Sequence, residues 1–236
     1  MRFITHSVVV GVIAALTTIG SAQSALVVTS SVGGAPTGVT LENFDTAPLG
    51  GGSPILLPSG ITLEFQPDAA VVSGSAGIYA APFLSGGNGT GFGSPNQANG
   101  ADTTTYLTSG STGAFVNAAM TILLPGLQQY FGLLWGSVDT YNKLLFLNGT
   151  TQVGSVSGSD VLALPNGNQG AAGTTYVNIN SDLAFDRVIA VSTNYAFELD
   201  NVAFNATPVP EPMSLALLGT ALVGFGLVRR RTKRQA

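Results

Sequence analysis

The 236-residue chain has no cysteine, and its only histidine, His6, lies close to the N-terminus. No disulfide framework and no thiolate site can form. Everything after residue 6 also lacks an imidazole, which excludes Ser-His-Asp and Cys-His catalysis and the usual zinc ligand sets. Charge is scarce as well. Asp, Glu, Lys and Arg together make up 8% of the chain, too little for the polar faces of a helical bundle. Between residues 23 and 207, eleven acids face only two bases, Lys143 and Arg187, a net charge of −9. A body of that sign cannot neutralise a phosphate backbone, so nucleic acid is excluded as a partner. Chemistry is left to carboxylates, hydroxyls, amides and any hard cation that oxygen atoms could hold.

Glycine is abundant instead, at 31 positions. It is costly in helix interiors and useful in turns, so the composition suits short strands with many connections. Strand-like runs recur between turn residues, among them 39–44, 61–65, 71–73, 78–80, 104–107, 118–123, 130–135, 143–147, 151–156, 176–180, 188–192 and 195–204. Asn148-Gly149 between two such runs marks a tight hairpin. One helical turn is expected near residues 159–164, capped by Ser159 or Asp160. No fixed repeat argues for a propeller or a β-helix. The stretch 85–100, rich in Gly, Asn, Ser and Pro, reads as a long exposed loop. The expected fold is all-β, a jelly-roll-like antiparallel β-sandwich.

The two ends read as addresses. Residues 1–22 have a positive start at Arg2, an apolar stretch and the small residues Gly20-Ser21-Ala22, the pattern of a cleaved secretory signal peptide. At the other end Pro210-Glu211-Pro212 precedes an apolar run over residues 213–228, followed by Arg229, Arg230, Arg231, Lys233 and Arg234. Sixteen helical residues span about 24 Å, slightly less than a hydrocarbon core, and snorkelling arginines cover the mismatch. The basic cluster orients such a C-terminal transmembrane helix with its tail in the cytoplasm and the body outside. This gives three parts: signal 1–22, extracytoplasmic domain 23–207, and C-terminal segment 208–236.

The order Pro-Glu-Pro, short membrane helix, arginine cluster resembles the PEP-CTERM sorting signal of bacterial surface proteins. That resemblance implies processing by exosortase, a membrane protease-transpeptidase, with Pro210, Glu211 and Pro212 as the recognition element. It also implies transient membrane anchoring, then delivery to the cell surface or a biofilm matrix of exopolysaccharide. The alternative is a permanent anchor after a proline-rich linker. The stretches 130–142 and 195–204 resemble blocks in the bodies of one group of exosortase-dependent proteins, implying a sandwich similar to carbohydrate-binding modules.

Within the body, Phe131-Gly132-Leu133-Leu134-Trp135 is apolar on both faces and reads as a central strand. Trp135 is expected in the core, and Tyr141, after the turn Ser137–Thr140, is the exposed aromatic on which a sugar could stack. Two strands change apolar phase beside acids: Val39 and Leu41 against Phe44, and Tyr195, Phe197 and Leu199 against Val202 and Phe204. A bulge near Asp200-Asn201 would account for the second change. If the two strands are neighbours, Glu42, Asp45, Glu198, Asp200 and Asn201 could share one calcium, which takes six to eight oxygens. The competing reading is that these are solvated strand-edge positions. No catalytic residue is assigned. Two functions stand open: a non-catalytic surface or matrix protein that binds exopolysaccharide and needs no cofactor beyond a structural calcium, or a secreted polysaccharide-active enzyme working with carboxylates alone. Paired acids facing one groove would favour the enzyme.

Overall fold

The computed structural model describes residues 26–31, 33–52, 54–93, 99–114 and 117–209. The signal segment, Pro210-Glu211-Pro212, the apolar run 213–228 and the basic cluster lie outside the described residues. Among the described residues no helix is long and apolar enough to cross a membrane.

The elements follow in order as β1 (Leu26–Ser31), β2 (Thr40–Glu42), β3 (Ile55–Leu56), β4 (Thr62–Phe65), β5 (Ala69–Ser73), β6 (Phe83–Leu84) and β7 (Gly100–Ala101). They continue as β8 (Thr105–Ser109), β9 (Ala118–Gly136), β10 (Asn142–Asn148), β11 (Thr151–Ser157), α1 (Gly158–Val161), β12 (Thr175–Ser192) and β13 (Phe197–Asn205). Every strand pairing among them is antiparallel.

Two long strands organise the body. The runs 118–123 and 130–135, read separately in the sequence, are the two halves of β9, and 176–180 and 188–192 are the two halves of β12. The halves of β9 and β12 pair with each other on either side of an irregular stretch between Asn180 and Arg187. Their first and second parts therefore belong to different layers. One layer runs β1, β12, β9, β13, β8, β5; the other runs β11, β10, β12, β9, β4, β3. The layers close on one apolar core in which Phe131 meets Phe146 edge-on at 6.0 Å, Phe146 meets Phe185 at 5.0 Å, and Trp135 stacks on Phe197 at 4.5 Å;. Trp135 is fully buried there, as its leucine neighbours led one to expect.

The β10–β11 hairpin forms at the expected place, with Asn148 opposite Thr151 and Gly149 at φ 58°. A left-handed conformation in a two-residue turn is what Gly provides without strain. Two local expectations are corrected. Ile78–Ala80 is not a strand: it is a bend that straps over the sheet, because Ala80 N–H bonds the Glu198 carboxylate instead of a neighbouring strand. The short helix is capped by Ser157, not by Ser159 or Asp160. The Asp160 carboxylate accepts from the Ser157 N–H at 2.8 Å and from its hydroxyl at 2.7 Å.

The segment between β5 and β8 packs on the outer face of the first layer. Phe92 is buried against Tyr176, with ring centroids 6.0 Å apart, and Asn88 is buried with its amide bonded to Phe83 O and Ser85 N–H. The described part of the 85–100 stretch is mostly exposed, as expected of a loop, but Asn88 and Phe92 anchor it to the sheet. The reason is that the outer face of β9, β12 and β13 carries Tyr130, Leu134, Tyr176 and Ala203, which need cover.

Candidate functional site

The first and last long strands do meet. β2 pairs with β13, Val202 opposite Glu42 and Phe204 opposite Thr40. The phase change in the last strand also has the expected cause. Between Asp200, opposite Leu134, and Ala203, opposite Gly132, β13 advances one residue more than β9. Asn201 sits at φ 52° in that bulge, and Phe44 at φ 57° beyond the end of β2. Asn tolerates this conformation better than most residues; Phe44 is held in it by Glu42, whose Oε1 accepts the Phe44 N–H at 2.9 Å.

The five residues expected to share a cation are nevertheless not gathered as a set. Glu42 is occupied by Phe44 N–H and by the Ser59 hydroxyl, which donates to its Oε2 at 2.7 Å. Glu198 accepts from Ala80 N–H at 3.0 Å and from the Ser137 hydroxyl. Asp45 is exposed and accepts from the Asn43 amide at 2.8 Å. Among the described residues no three acidic, His or Cys side chains form a metal cage. Asp200 and Asn201 are different: both are completely buried, and none of their side-chain polar atoms makes a well-formed hydrogen bond. Solvated strand edges therefore do not describe Glu42, Glu198, Asp200 or Asn201, all of which are buried; of the five, only Asp45 is exposed.

At the end of the sandwich where β9 and β12 finish and β10 and β13 begin, four connections surround an open cleft of about 260 Å³. Its walls are the 77–78 strap, the turn after β9 (Ser137, Asp139, Tyr141), the loop with Asn166, Gly167 and Gln169, and Tyr195 to Glu198. Tyr141 is half-buried and Tyr195 is 40% exposed, and both line the cleft. Asn142 ties the walls from behind. Its Oδ1 accepts the Asp139 N–H, and its amide donates to Ser192 Oγ and to Ala196 O, each at 3.1 Å. Gly167 closes against Asp139: a Cβ there would lie 2.7 Å from Oδ2, and φ is +67° besides. Main-chain bonds from Gly167 N–H to Val138 O and from Val138 N–H to Gly173 O hold the loop to the turn.

Two carboxyls line this cleft. Burial pushes Glu198 up to about 7, against the lowering effect of its bonds from Ser137 and Ala80, and the Asp139 charge adds to the rise. Burial also raises Asp139 above its usual value. Sequence reasoning had named Glu198 for a cation and Tyr141 for a sugar. It missed that Asp139, Tyr195, Asn166 and Gln169 share their cleft, since these come from three separate connections. The Ser137–Thr140 turn was the one local signal for Asp139.

Residues 208–231 match the family described as the PEP-CTERM protein-sorting motif. No curated protein matches the chain. Among solved structures it is similar to CBM32-3 from a family 31 glycoside hydrolase of Clostridium perfringens, at 14% identity and a TM-score of 0.33. That alignment covers 61% of this chain and 90% of the other. At such a TM-score the likeness carries no functional weight.

Proposed function

We propose that this chain is an exported surface or extracellular-matrix protein, delivered through its PEP-CTERM signal to an exosortase-type membrane protease, and that its β body is a non-catalytic module for exopolysaccharide. The sorting motif at residues 208–231 carries the first half. It follows the last strand after a short linker, so the body would be presented on the far side of the membrane from a basic cytoplasmic tail. The membrane helix over 213–228 would be left behind on processing.

The second half rests on the cleft. Two tyrosine rings at the mouth offer flat apolar faces with polar tips, and Asp139, Asn166 and Gln169 supply planar hydrogen-bonding groups between them. That pairing of flat and polar surface suits a sugar ring, and the volume suits one unit of a chain that continues into solvent. A glycan array probed with the full-length protein, alongside Tyr141→Ala and Tyr195→Ala, tests it. Each substitution should weaken retention tenfold or more, equivalent to about 1.4 kcal/mol, with the melting temperature unchanged. Binding to no glycan by the unaltered protein would end the reading.

One observation favours the enzyme reading: Glu198 and Asp139 face one cleft with raised carboxyl values, as an acid and its partner would. Against it, both Glu198 oxygens are occupied by Ala80 and Ser137, and the side chain is only 2% exposed. A general acid must reach the glycosidic oxygen. Polysaccharide cleavage lost in both Glu198→Gln and Asp139→Asn would establish hydrolysis.

A further inference from the structure

Among the described residues, Asp200 presents a completely buried and uncompensated polar group. Neither oxygen of its completely buried carboxyl accepts a well-formed hydrogen bond. Buried polar atoms are almost always paired, and an isolated buried charge costs several kcal/mol. Next to it in sequence, the Asn201 amide is equally buried, with both its oxygen and its nitrogen unpartnered. Across from them stands Asp102, 2% exposed, whose Oδ2 is unpartnered while Oδ1 accepts the Thr104 N–H and hydroxyl at 2.8 and 2.7 Å.

Asp102 reaches this place through the strap on the outer face: its N–H donates to Pro82 O, and Pro82 packs over Gly136, which is opposite Glu198 on β13. Three residues after Asp102 the chain enters β8, which pairs with β13 with Leu107 opposite Leu199, so the Asp102 end of β8 runs beside Asp200 and Asn201. Two ionised carboxylates cannot donate to each other. They have to be compensated, either by a shared proton or by a cation between them.

From this juxtaposition we infer that Asp102, Asp200 and Asn201 form a site for a hard divalent cation, calcium, that ties the outer strap to the β13 bulge. The donors are all oxygens, and the body has no histidine or cysteine to favour a softer metal. Asp200 can bind through two oxygens, Asp102 through Oδ2 and Asn201 through Oδ1. Calcium accepts such irregular sets and fills the remaining positions with main-chain carbonyls or water, whereas magnesium demands near-ideal octahedra. With Leu199 and Val202 both in the core, the bulge leaves Asp200 and Asn201 together on the other side, where a regular strand would turn consecutive side chains to opposite faces. This site is separate from the Tyr141–Tyr195 cleft and does not depend on glycan binding.

The test uses the full-length chain, stripped with chelator and then measured at pH 8 by equilibrium dialysis with calcium and by thermal melting. The expected result is one calcium per chain and a melting rise of several degrees, since the ion binds only the folded state. Magnesium should give a much smaller rise. Asp200→Asn keeps the shape and can donate to Asp102, so it should fold, yet it should bind no calcium and show no calcium-dependent rise. Asp102→Asn should behave likewise. No bound calcium in the unaltered chain, with Asp200→Asn melting higher than it at pH 8, would overturn the proposal and assign the pair to a shared proton. Undiminished calcium binding by Asp200→Asn would overturn it too.

Discussion

The Asn142 side-chain amide donates to the Ala196 carbonyl oxygen at 3.1 Å while its own oxygen accepts the Asp139 N–H, also at 3.1 Å. One completely buried residue at the start of β10 therefore sets the spacing between the two tyrosine-bearing walls of the cleft.

Replacing Asn142 with alanine leaves the Asp139 N–H and the Ala196 carbonyl short of a partner, while the Ser192 hydroxyl keeps its bond to Asn194 O. Breaking a buried group of bonds of this kind costs roughly 1–3 kcal/mol for each polar group left bare. Chemical denaturation should show Asn142→Ala destabilised by at least that amount. Glycan retention should fall in parallel even where the variant is fully folded, because the cleft loses its width. An unchanged denaturation midpoint would remove Asn142 from this role.

Glu198 gives the body a pH dependence of definite sign. Its proton is held up to about pH 7 in the folded state and only to about 4.5 in the unfolded chain. The native state thus binds more protons between those values, and stability falls as pH rises through that window. A shift of this size corresponds to about 3 kcal/mol. Asp200, raised for the same reason of burial with the Asp102 charge second, adds to the slope in calcium-free buffer. Denaturation series at pH 4.5, 6 and 7.5, chosen to span about the Glu198 window, should show the decline, and Glu198→Gln should flatten it. A decline of equal size in Glu198→Gln would place its origin elsewhere.

Trp135 tests the assignment of the aromatics. It is stacked on Phe197 in the core, and its indole N–H has no partner. Trp135→Ala should cost about 3–5 kcal/mol, whereas Trp135→Phe should cost much less, since it surrenders area but no hydrogen bond. Neither should alter the glycan preference of the protein that remains folded. A changed preference in Trp135→Phe would return the tryptophan to the binding surface.

Sorting can be followed by mass spectrometry of surface-exposed protein. Peptides beyond the Pro210-Glu211-Pro212 region should be missing, and replacing all three residues by alanine should restore them and keep the protein in the membrane fraction. Recovery of residues 213–236 on the unaltered surface protein would mean a permanent anchor.

Much of this protein is local in origin and so could be read without coordinates. Export, sorting and the absence of thiol or imidazole chemistry follow from which residues are present and in what order, because a protease or a bilayer reads a short linear segment. Strand propensity and the Asn148-Gly149 turn are likewise local. Even the bulge at Asn201 was legible, since period two cannot put both Leu199 and Val202 in one core without an extra residue. Tertiary structure alone decided which acids share a neighbourhood. Glu42 and Glu198, chosen from the sequence for a cation, are taken up by Ser59 and Ser137. Asp102, unremarkable in the sequence, is brought to Asp200 by a strap crossing the outer face. Tyr195, Asp139 and Asn166 line one cleft though they lie on separate connections. Such meetings depend on how β9 and β12 pass from one layer to the other, and no local pattern encodes the partner across a sheet.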